Sequence, residues 1–593
     1  AEFLEEARNP GQFSYRMYYR GLGIRNRVTA DRIFISEGKS SPLRSQAECF
    51  RAYATAVFQE ICVPEDAGIF QAILLGDKSG LSEELRERFQ DNGIAHILAV
   101  SGLHVSLIGM SVYSALRFWG ISYGWAGLGA SALLTFYGLV TGFGASVFRA
   151  VFMVEVSCLA AYLGRSYDLL SALSLSLILQ AWQSPYLLFS AGLQLSYGAV
   201  AAIGLETEEL RKVGKKRKDE EQEKEKKKGY ETLMLSLAIQ LYTMPIQLYH
   251  YFTFPMLGIF LNLIVIPLVP VVFLSGAAGM LTGGVSVMVG MFLAGASAGV
   301  LRFFQTLLER TEVLPGSRAI IGQPELWRIG VYYVLAGIAV WGGRRRKAVS
   351  LEKCRNYGNI TKSQIESEKI RNQKQYNRMK SLNMQSETIQ KWKENTGNQR
   401  LYSETREFGG QSDQSRFEKS DQSASIDSPQ KCHHIWLRIF LIILSLCILC
   451  FPINRPSEVT FLDVGQGDAI FLRTEQGITC LIDGGSTTVS DVGTYRILPF
   501  LKARDVSALD YLFLSHMDAD HISGAEELLK DQFHGIPIHN LCLSALPEDE
   551  TRLRLEKEAR RFGTNLLYIS RGTVFQEENA KIRCLSPAKN QKK

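Results

Sequence analysis

The chain has 593 residues, 46% of them hydrophobic, and a formal net charge of +7. That length holds several domains, and the positive excess is spread over linkers, so it does not by itself indicate nucleic-acid binding. A mean hydropathy near zero conceals an alternation: the 70 residues Thr232–Leu301 contain no Lys, Arg, Asp or Glu, which excludes a wholly soluble protein, since a bilayer span needs only about 20 apolar residues.

Both ends of the chain read as cuts through a longer protein. In the first 64 residues, turn residues and aromatics fill Asn9–Ile24, Val28–Ser36 reads as a short strand, and Ser45–Glu60 as an amphipathic helix. Leu81–Phe89 is helix-like. Candidate spans follow at Gly93–Phe118, Ile121–Gly142, Ala145–Gly164, Leu169–Gln183 (short for a full crossing) and Pro185–Leu205. Glu206–Lys228, with ten basic and eight acidic residues, predicts a soluble loop. Four more spans come next: Leu233–Tyr251, Leu257–Met280, Val285–Phe304 and Ile329–Gly343. The last runs into Arg344–Lys347, a cytoplasmic-side signal, and the Lys-rich insert is placed on the same side. Ser350–His434 lacks apolar periodicity and predicts a disordered cytoplasmic linker. Ile435–Phe451 is a further span, after which the chain emerges outside. From Val459 onward the pattern is soluble α/β.

None of the ten cysteines is assigned a disulfide or redox role. Cys158, Cys447 and Cys450 lie in apolar segments, and Cys49 and Cys62 are about 20 Å apart along a predicted helix.

The chemistry concentrates in Ser515–Gly524, where His516, Asp518, Asp520 and His521 fall within six residues. The apolar strand Leu509–Leu514 runs into them and a helix-like run, Gly524–Lys530, follows, so the ligands are expected on the loop at a strand end. Imidazole with carboxylate suits a divalent cation that activates water. The alternative is a solvated Asp-rich turn, but a turn does not call for two histidines. Two further strand ends deliver Asp463 with Asp468, and Asp483. The alternative for Asp463 and Asp468 is that they cap turns, and for Asp483 that it only braces the metal loop from behind.

Polar groups also interrupt the apolar runs. His96, Ser101 and His104 lie within Gly93–Met110. An unbroken helix sets the two histidines near one face, and Ser101–Gly102 is a candidate break. Arg149 and Glu155 are six apart, about 240° around a helix, so they face different partners. Arg149 is open to two readings, a buried ion pair or a cation along a water-filled path.

Together these stretches resemble the ComEC family of competence proteins. LAVSGLHVSL, GASVFRAVFM, GLQLSYGAV and FLNLIVIPLV occur in the family's order, and DVGQGDA, LIDGG and HMDADHISG resemble its fused metallo-β-lactamase-like domain. The resemblance covers about residues 5–345 and 457–590; GLQLS has Leu193 where phenylalanine is usual. It implies a polytopic α-helical membrane protein with a truncated C-terminal α/β domain and, over residues 1–64, the end of an OB-like β domain. The channel would occupy residues 65–345, the linker 346–434, one helix 435–451 and the metallo-β-lactamase-like domain 457–593.

The family's loop reads His-x-His-x-Asp-His, and Asp518 stands at its second histidine. By this analogy His516 and Asp518 serve one metal and Asp520 and His521 the second, the latter pair being catalytic. The extra carboxylate tilts a two-ion site from zinc toward manganese. His534 and His539 are the histidines that follow, neither in a recognisable motif, so the fragment is expected to hold half a site and to lack nuclease activity. Ser101, His104, Arg149, Gln194 and Asn262 are the implied channel residues, with Gly192 and Pro267 shaping backbone. The implied function is uptake of single-stranded DNA across a bacterial inner membrane, with phosphodiester hydrolysis outside by metal-activated water. Implied partners are DNA, the lipid bilayer, an external DNA receptor, a cytoplasmic helicase-like ATPase and further copies of the chain. GxxxxGK[ST] is absent from the sequence. The rival readings are a membrane-anchored metallo-hydrolase whose spans only tether it, and a small-solute transporter with a vestigial soluble domain.

Overall fold

The computed structural model describes residues 2–32, 34, 41–214, 221–312, 314, 316–339, 429–451, 456–532, 535–544, 550–576 and 581–585. The chain divides into two compact units, Ala1–Pro324 with Ile453–Lys593, and Glu325–Pro452.

The first unit begins with β1 (Glu2–Phe3), α1 (Tyr15–Gly21) and β2 (Asn26–Arg27), β1 and β2 pairing antiparallel. The strand expected over Val28–Ser36 is not found in that run's described residues. A strand needs a ladder partner, and β2 already pairs with the two-residue β1; Val28 is exposed. Helix α2 (Pro42–Ile61) starts on a proline at its first position, where no amide donor is required. It buries Ala54, Val57, Phe58 and Ile61. α3 (Pro64–Phe70) passes into a π-turn that ends at Gly76, φ 74°, and α4 (Glu83–Asp91) is capped by Ser82.

The apolar helices are α5 (Gly102–Phe118), α6 (Tyr123–Val140), α7 (Ala145–Tyr162), α8 (Leu169–Gln183), α9 (Ala191–Gly214) and α10 (Glu221–Tyr251). The expected span Gly93–Phe118 is broken. A 3-10 turn, Ala95–Leu98, precedes an extended Ser101, whose backbone amide donates to His104 Nδ1 at 3.1 Å. His96 and His104 therefore do not share a helix face. The charged insert is helical on both flanks, α9 running on to Gly214 and α10 beginning at Glu221, while residues 215–220 lie outside the described residues. Glu and Lys are good helix formers, so length and composition permit the extension.

After β3 (Thr253–Pro255) come α11 (Gly258–Gly283) and α12 (Val287–Glu312), and β4 (Arg318–Ile320) returns to pair with β3. α11 and α12 approach through small residues: a Cβ on Gly290 would lie 2.5 Å from the Gly283 Cα. Among the described residues three helices are long and apolar enough to cross a membrane: Ala145–Tyr162, Gly258–Gly283 and the segment Val287–Thr311. Other expected spans appear as shorter apolar helices, among them Leu169–Gln183 and Ala191–Leu205; Ser184 and a 3-10 turn at Pro185–Phe189 separate these two.

The second unit holds α13 (Leu326–Ala339) and α14 (Pro429–Cys450). Arg328 donates from Nε to the Ile448 carbonyl at 2.8 Å. Cys447 and Cys450 lie one turn apart on α14 as free thiols. The Arg344–Lys347 cluster and the linker through residue 428 lie outside the described residues.

The C-terminal region of the first unit is a six-stranded mixed sheet in the order β10-β9-β8-β7-β6-β5. β5 (Glu458–Phe461), β6 (Ile470–Arg473) and β7 (Thr479–Ile482) are antiparallel; β8 (Leu509–Phe513), β9 (Ile538–Ser544) and β10 (Asn565–Ile569) continue parallel to β7. The parallel crossovers carry α15 (Leu498–Ala503), α16 (Ala519–Lys530) and α17 (Glu550–Arg561). Leu481, Leu512 and Leu541 pack with Ile522, Leu529 and Leu555 in one core. Cys480, Phe513 and Cys542 pack with Phe575 and Ile582 in another, Phe575 and Ile582 belonging to the hairpin of β11 (Val574–Gln576) and β12 (Lys581–Arg583).

Candidate metal centre and intramembrane polar groups

The C-terminal end of β8 turns at Ser515 and enters α16 at Ala519, four residues on. The helix starts earlier than the sequence suggests, so Asp520 and His521 stand in its first turn rather than on the loop. This folds them back over His516. One ligand atom each from His516, Asp520 and His521 lies within 4.8 Å of the others, and the two imidazole centroids are 3.9 Å apart. Asp518 stays at the rim, its side chain 65% exposed, with Oδ2 3.3 Å from His516 Nε2. The structure thus groups His516 with Asp520 and His521, across the division into two pairs expected by analogy.

Both rings are held from behind. Asp483 Oδ2 lies 3.1 Å from His521 Nδ1, and Ser515 Oγ 2.9 Å from His516 Nδ1. With Nδ1 engaged, each Nε2 is the imidazole nitrogen left available to a cation. Two imidazole nitrogens and a carboxylate oxygen converging at a rigid strand end are a donor set that fits a divalent cation. Asp483 itself takes the left-handed conformation, φ 55°, one that Asp tolerates better than most residues. The Ser515 amide donates to its Oδ1 at 2.8 Å.

The glycines after Asp483 have a steric reason. A Cβ on Gly485 would sit 2.4 Å from both the Asp520 carbonyl carbon and the His521 nitrogen. The Gly484 amide donates to the His521 carbonyl at 2.8 Å.

Asp468 approaches His521 Nδ1 only at 3.8 Å, from a side chain 67% exposed. Asp463 is engaged elsewhere: Arg8 Nη1 and Arg496 Nη1 donate to it at 2.9 and 2.8 Å, and Asn9 bonds both its backbone amide and carbonyl. The Arg8 hydrogen bond, with Arg8 and Arg496 charge, holds the Asp463 carboxyl below its ordinary range. Sequence reading gave no role to Arg8, Asn9 and Arg496, nor to Ser515 within the ligand stretch it had singled out. His539 is exposed on β9, and His534 lies outside the described residues.

Among the intramembrane candidates, His104 is 1% exposed, and its Nε2 has no hydrogen-bond partner among the described residues. Its ring stacks on Phe273 with centroids 4.8 Å apart. Arg149 donates from Nε to Ser196 Oγ at 3.1 Å, while Glu155 accepts from Thr135 Oγ1 at 2.9 Å; these are the different partners that the helix angle requires. Gln194 donates to the Leu188 carbonyl and meets His250 Nε2 at 2.9 Å. Asn262 leaves Oδ1 buried without a partner among the described residues. Sequence reading missed Ser176, Gln180 and Tyr197, joined through the Tyr197 hydroxyl at 2.9 and 3.1 Å; their signal is a polar residue inside an apolar helix.

Residues 73–346 match the family described as Competence protein, and residues 462–575 match the Metallo-beta-lactamase superfamily. The chain is 23% identical to ComE operon protein 3 of Bacillus subtilis over 98% of its own length and 64% of that protein's. It therefore spans less than two thirds of this relative. Over 94 residues, 15% of the chain and 12% of the relative, it is 39% identical to Recombination protein 2 of Haemophilus influenzae. No solved structure matches. The superfamily implies divalent-metal binding, and the competence region with its three spanning-length helices makes this a membrane protein. The chain thus joins a competence-protein region to a metallo-β-lactamase domain and is homologous to ComE operon protein 3 along nearly all of its length.

Proposed function

We propose that the chain conducts one strand of DNA across a bacterial inner membrane during natural transformation, and that its C-terminal domain lies outside the cell membrane and is of the type that degrades the strand not taken up, residues 457–593 supplying half of the two-ion site that this activity requires. The observation that carries this reading is the union of residues 73–346 and 462–575 in one chain, with a competence relative aligned over 98% of it. The Haemophilus relative's name, Recombination protein 2, is consistent with a role in DNA processing. An external receptor supplies duplex DNA, a cytoplasmic helicase-like ATPase pulls the strand, and further copies of the chain associate with it.

In this reading His516, Asp520 and His521 hold a divalent cation, manganese or zinc, with Asp518 and Asp468 available from the exposed side toward a second ion. When bound, the metal supplies Lewis-acid polarisation of a phosphodiester and activation of water. Asp483 keeps the His521 proton on Nδ1, so Nε2 faces the ion, and Asp520 stands beside it to move a proton. Ser101, His104, Gln194 and Asn262 line or shape the path; a strand with one charge per nucleotide requires such polar groups. Deleting the chain from a transformable strain is expected to abolish internalised DNA, and unchanged transformation overturns the proposal. His516→Ala with Asp520→Ala is expected to spare uptake and to abolish divalent-metal binding by the C-terminal domain.

A further inference from the structure

Arg149 stands near the start of α7 with its side chain among the most buried charges in the chain, 6% exposed. Its recorded polar partners among the described residues are the Ser196 hydroxyl, which accepts from Nε, and the Tyr197 ring, whose centroid lies 5.8 Å from Cζ. Neither is an anion. Removing a guanidinium from water without a carboxylate is costly, and such a group inside a helix bundle marks a ligand path more often than a structural role.

The far end of the guanidinium reaches the broken start of α5. A Cβ on Gly102 would lie 3.5 Å from Arg149 Nη2 and 3.8 Å from the Ala150 Cβ. At that helix start the Ser101 side chain and His104 Nδ1 cap each other's backbone amides. The amides of Gly102 and Leu103 have no acceptor within the helix, as in any first turn. In the same turn His104 keeps its Nε2 buried, with no partner among the described residues. A helix N-terminus is a natural anion site, and here a buried cation faces it across a position that carries no side chain.

We infer that Arg149 and the first turn of α5, opened by Gly102, form a seat for a single phosphodiester anion of a transiting DNA strand. The inference rests on the channel reading above and deepens it by naming the contact. The burial of Arg149 among α5, α7 and α9 favours a strand inside the bundle over a lipid headgroup at its surface. One cation gives one phosphate contact, strong enough to align the strand and weak enough to release it.

The test measures labelled single strand internalised by transformable cells that carry the full chain, with membrane protein level and surface-bound DNA read in parallel. Arg149→Gln is expected to lower internalisation at least ten-fold at unchanged protein level and surface binding, and Arg149→Lys to fall between it and the parent. Gly102→Val, which keeps the charge and fills the seat, is expected to act like Arg149→Gln, and it decides the matter if that variant fails to accumulate. A strand with a run of uncharged methylphosphonate linkages is expected to enter more slowly than a fully charged one through the parent chain, and no differently through Arg149→Gln. If deletion abolishes uptake while Arg149→Gln and Gly102→Val remain at parental rate, the seat is overturned and the channel stands. If deletion has no effect, the channel reading itself falls. Loss of co-purifying phospholipid from Arg149→Gln with normal uptake assigns the guanidinium to a lipid and also overturns the seat.

Discussion

Asp483 and His521 meet at 3.1 Å, carboxylate oxygen to imidazole Nδ1, although one follows the end of β7 and the other stands in the first turn of α16, 38 residues on. The same aspartate accepts the Ser515 amide and adopts φ 55°. One residue thus sets the ring orientation and anchors the loop that carries His516. Asp483→Asn is expected to keep the fold and lower divalent-metal affinity by about 10–100-fold, the usual effect of losing such a brace. Equilibrium dialysis with manganese or zinc on the full chain measures this, and unchanged affinity would remove Asp483 from the site.

Gly485 tests whether the two strand-end loops depend on close backbone approach. Its added methyl would meet main-chain atoms of Asp520 and His521 at 2.4 Å, which no side-chain rotation relieves. Gly485→Ala is expected to cost about 1–3 kcal/mol, as overpacking does, and to weaken metal binding by displacing both ligands. Gly299→Ala, with nothing within 4 Å of the new methyl, is the control and should not destabilise. Thermal melts with and without added metal separate the two effects.

The strands and the ligand loop were legible because alternation and apolar runs set β5 to β8, and histidine with aspartate at a strand end is a chemical signal. The ligand grouping was not legible. It depends on α16 beginning at Ala519, before the apolar residues that signal a helix, and this carries Asp520 and His521 back over His516. Val28–Ser36 illustrates the limit for strands, since a sequence shows β propensity but not whether a partner exists. The flanks of the charged insert failed for the opposite reason: polarity suggests a loop, yet Glu and Lys favour helix. Asp463 reads as a turn-capping residue and is one, its Oδ1 accepting from the Gly465 amide at 3.2 Å; its further partners Arg8 and Asn9 lie some 450 positions earlier, beyond the reach of local sequence.

That cluster gives a pH prediction. The Asp463 carboxyl is held below its ordinary value of 3.8, first by the hydrogen bond from Arg8. A depressed carboxylate stabilises the folded state above the unfolded value, and the contribution is lost as pH falls through the folded value. Docking of Arg8–Gln12 on the C-terminal domain is therefore expected to be constant from pH 7 to 5 and to weaken only below 3.8. Hydrogen exchange in that segment reads it. Asp463→Asn should show the weakened state at neutral pH, and an unaltered segment in that variant would sink the account.

Arg318 joins three parts of the first unit. From β4 it donates to Asp91 Oδ2 on α4 at 2.6 Å, and to the Gly535 carbonyl of the C-terminal region at 2.8 Å. The pair is mostly shielded, with side chains 16% and 17% exposed, so screening by solvent is limited and the loss of one partner leaves a charge in a poor environment. Arg318→Ala is expected to weaken docking of the C-terminal region by about 1.5–3 kcal/mol, the range for hydrogen bonds to charged groups. Asp91→Asn should cost less, because the amide still accepts from the guanidinium and the Gly535 bond survives. Faster hydrogen exchange at Gly535 and Ile536 in the order Arg318→Ala, Asp91→Asn, parent is the expected pattern. Equal rates in all three would mean that the apolar core, rather than this bridge, holds the loop, because a bridge that carries the contact must loosen when the guanidinium that makes both of its hydrogen bonds is removed.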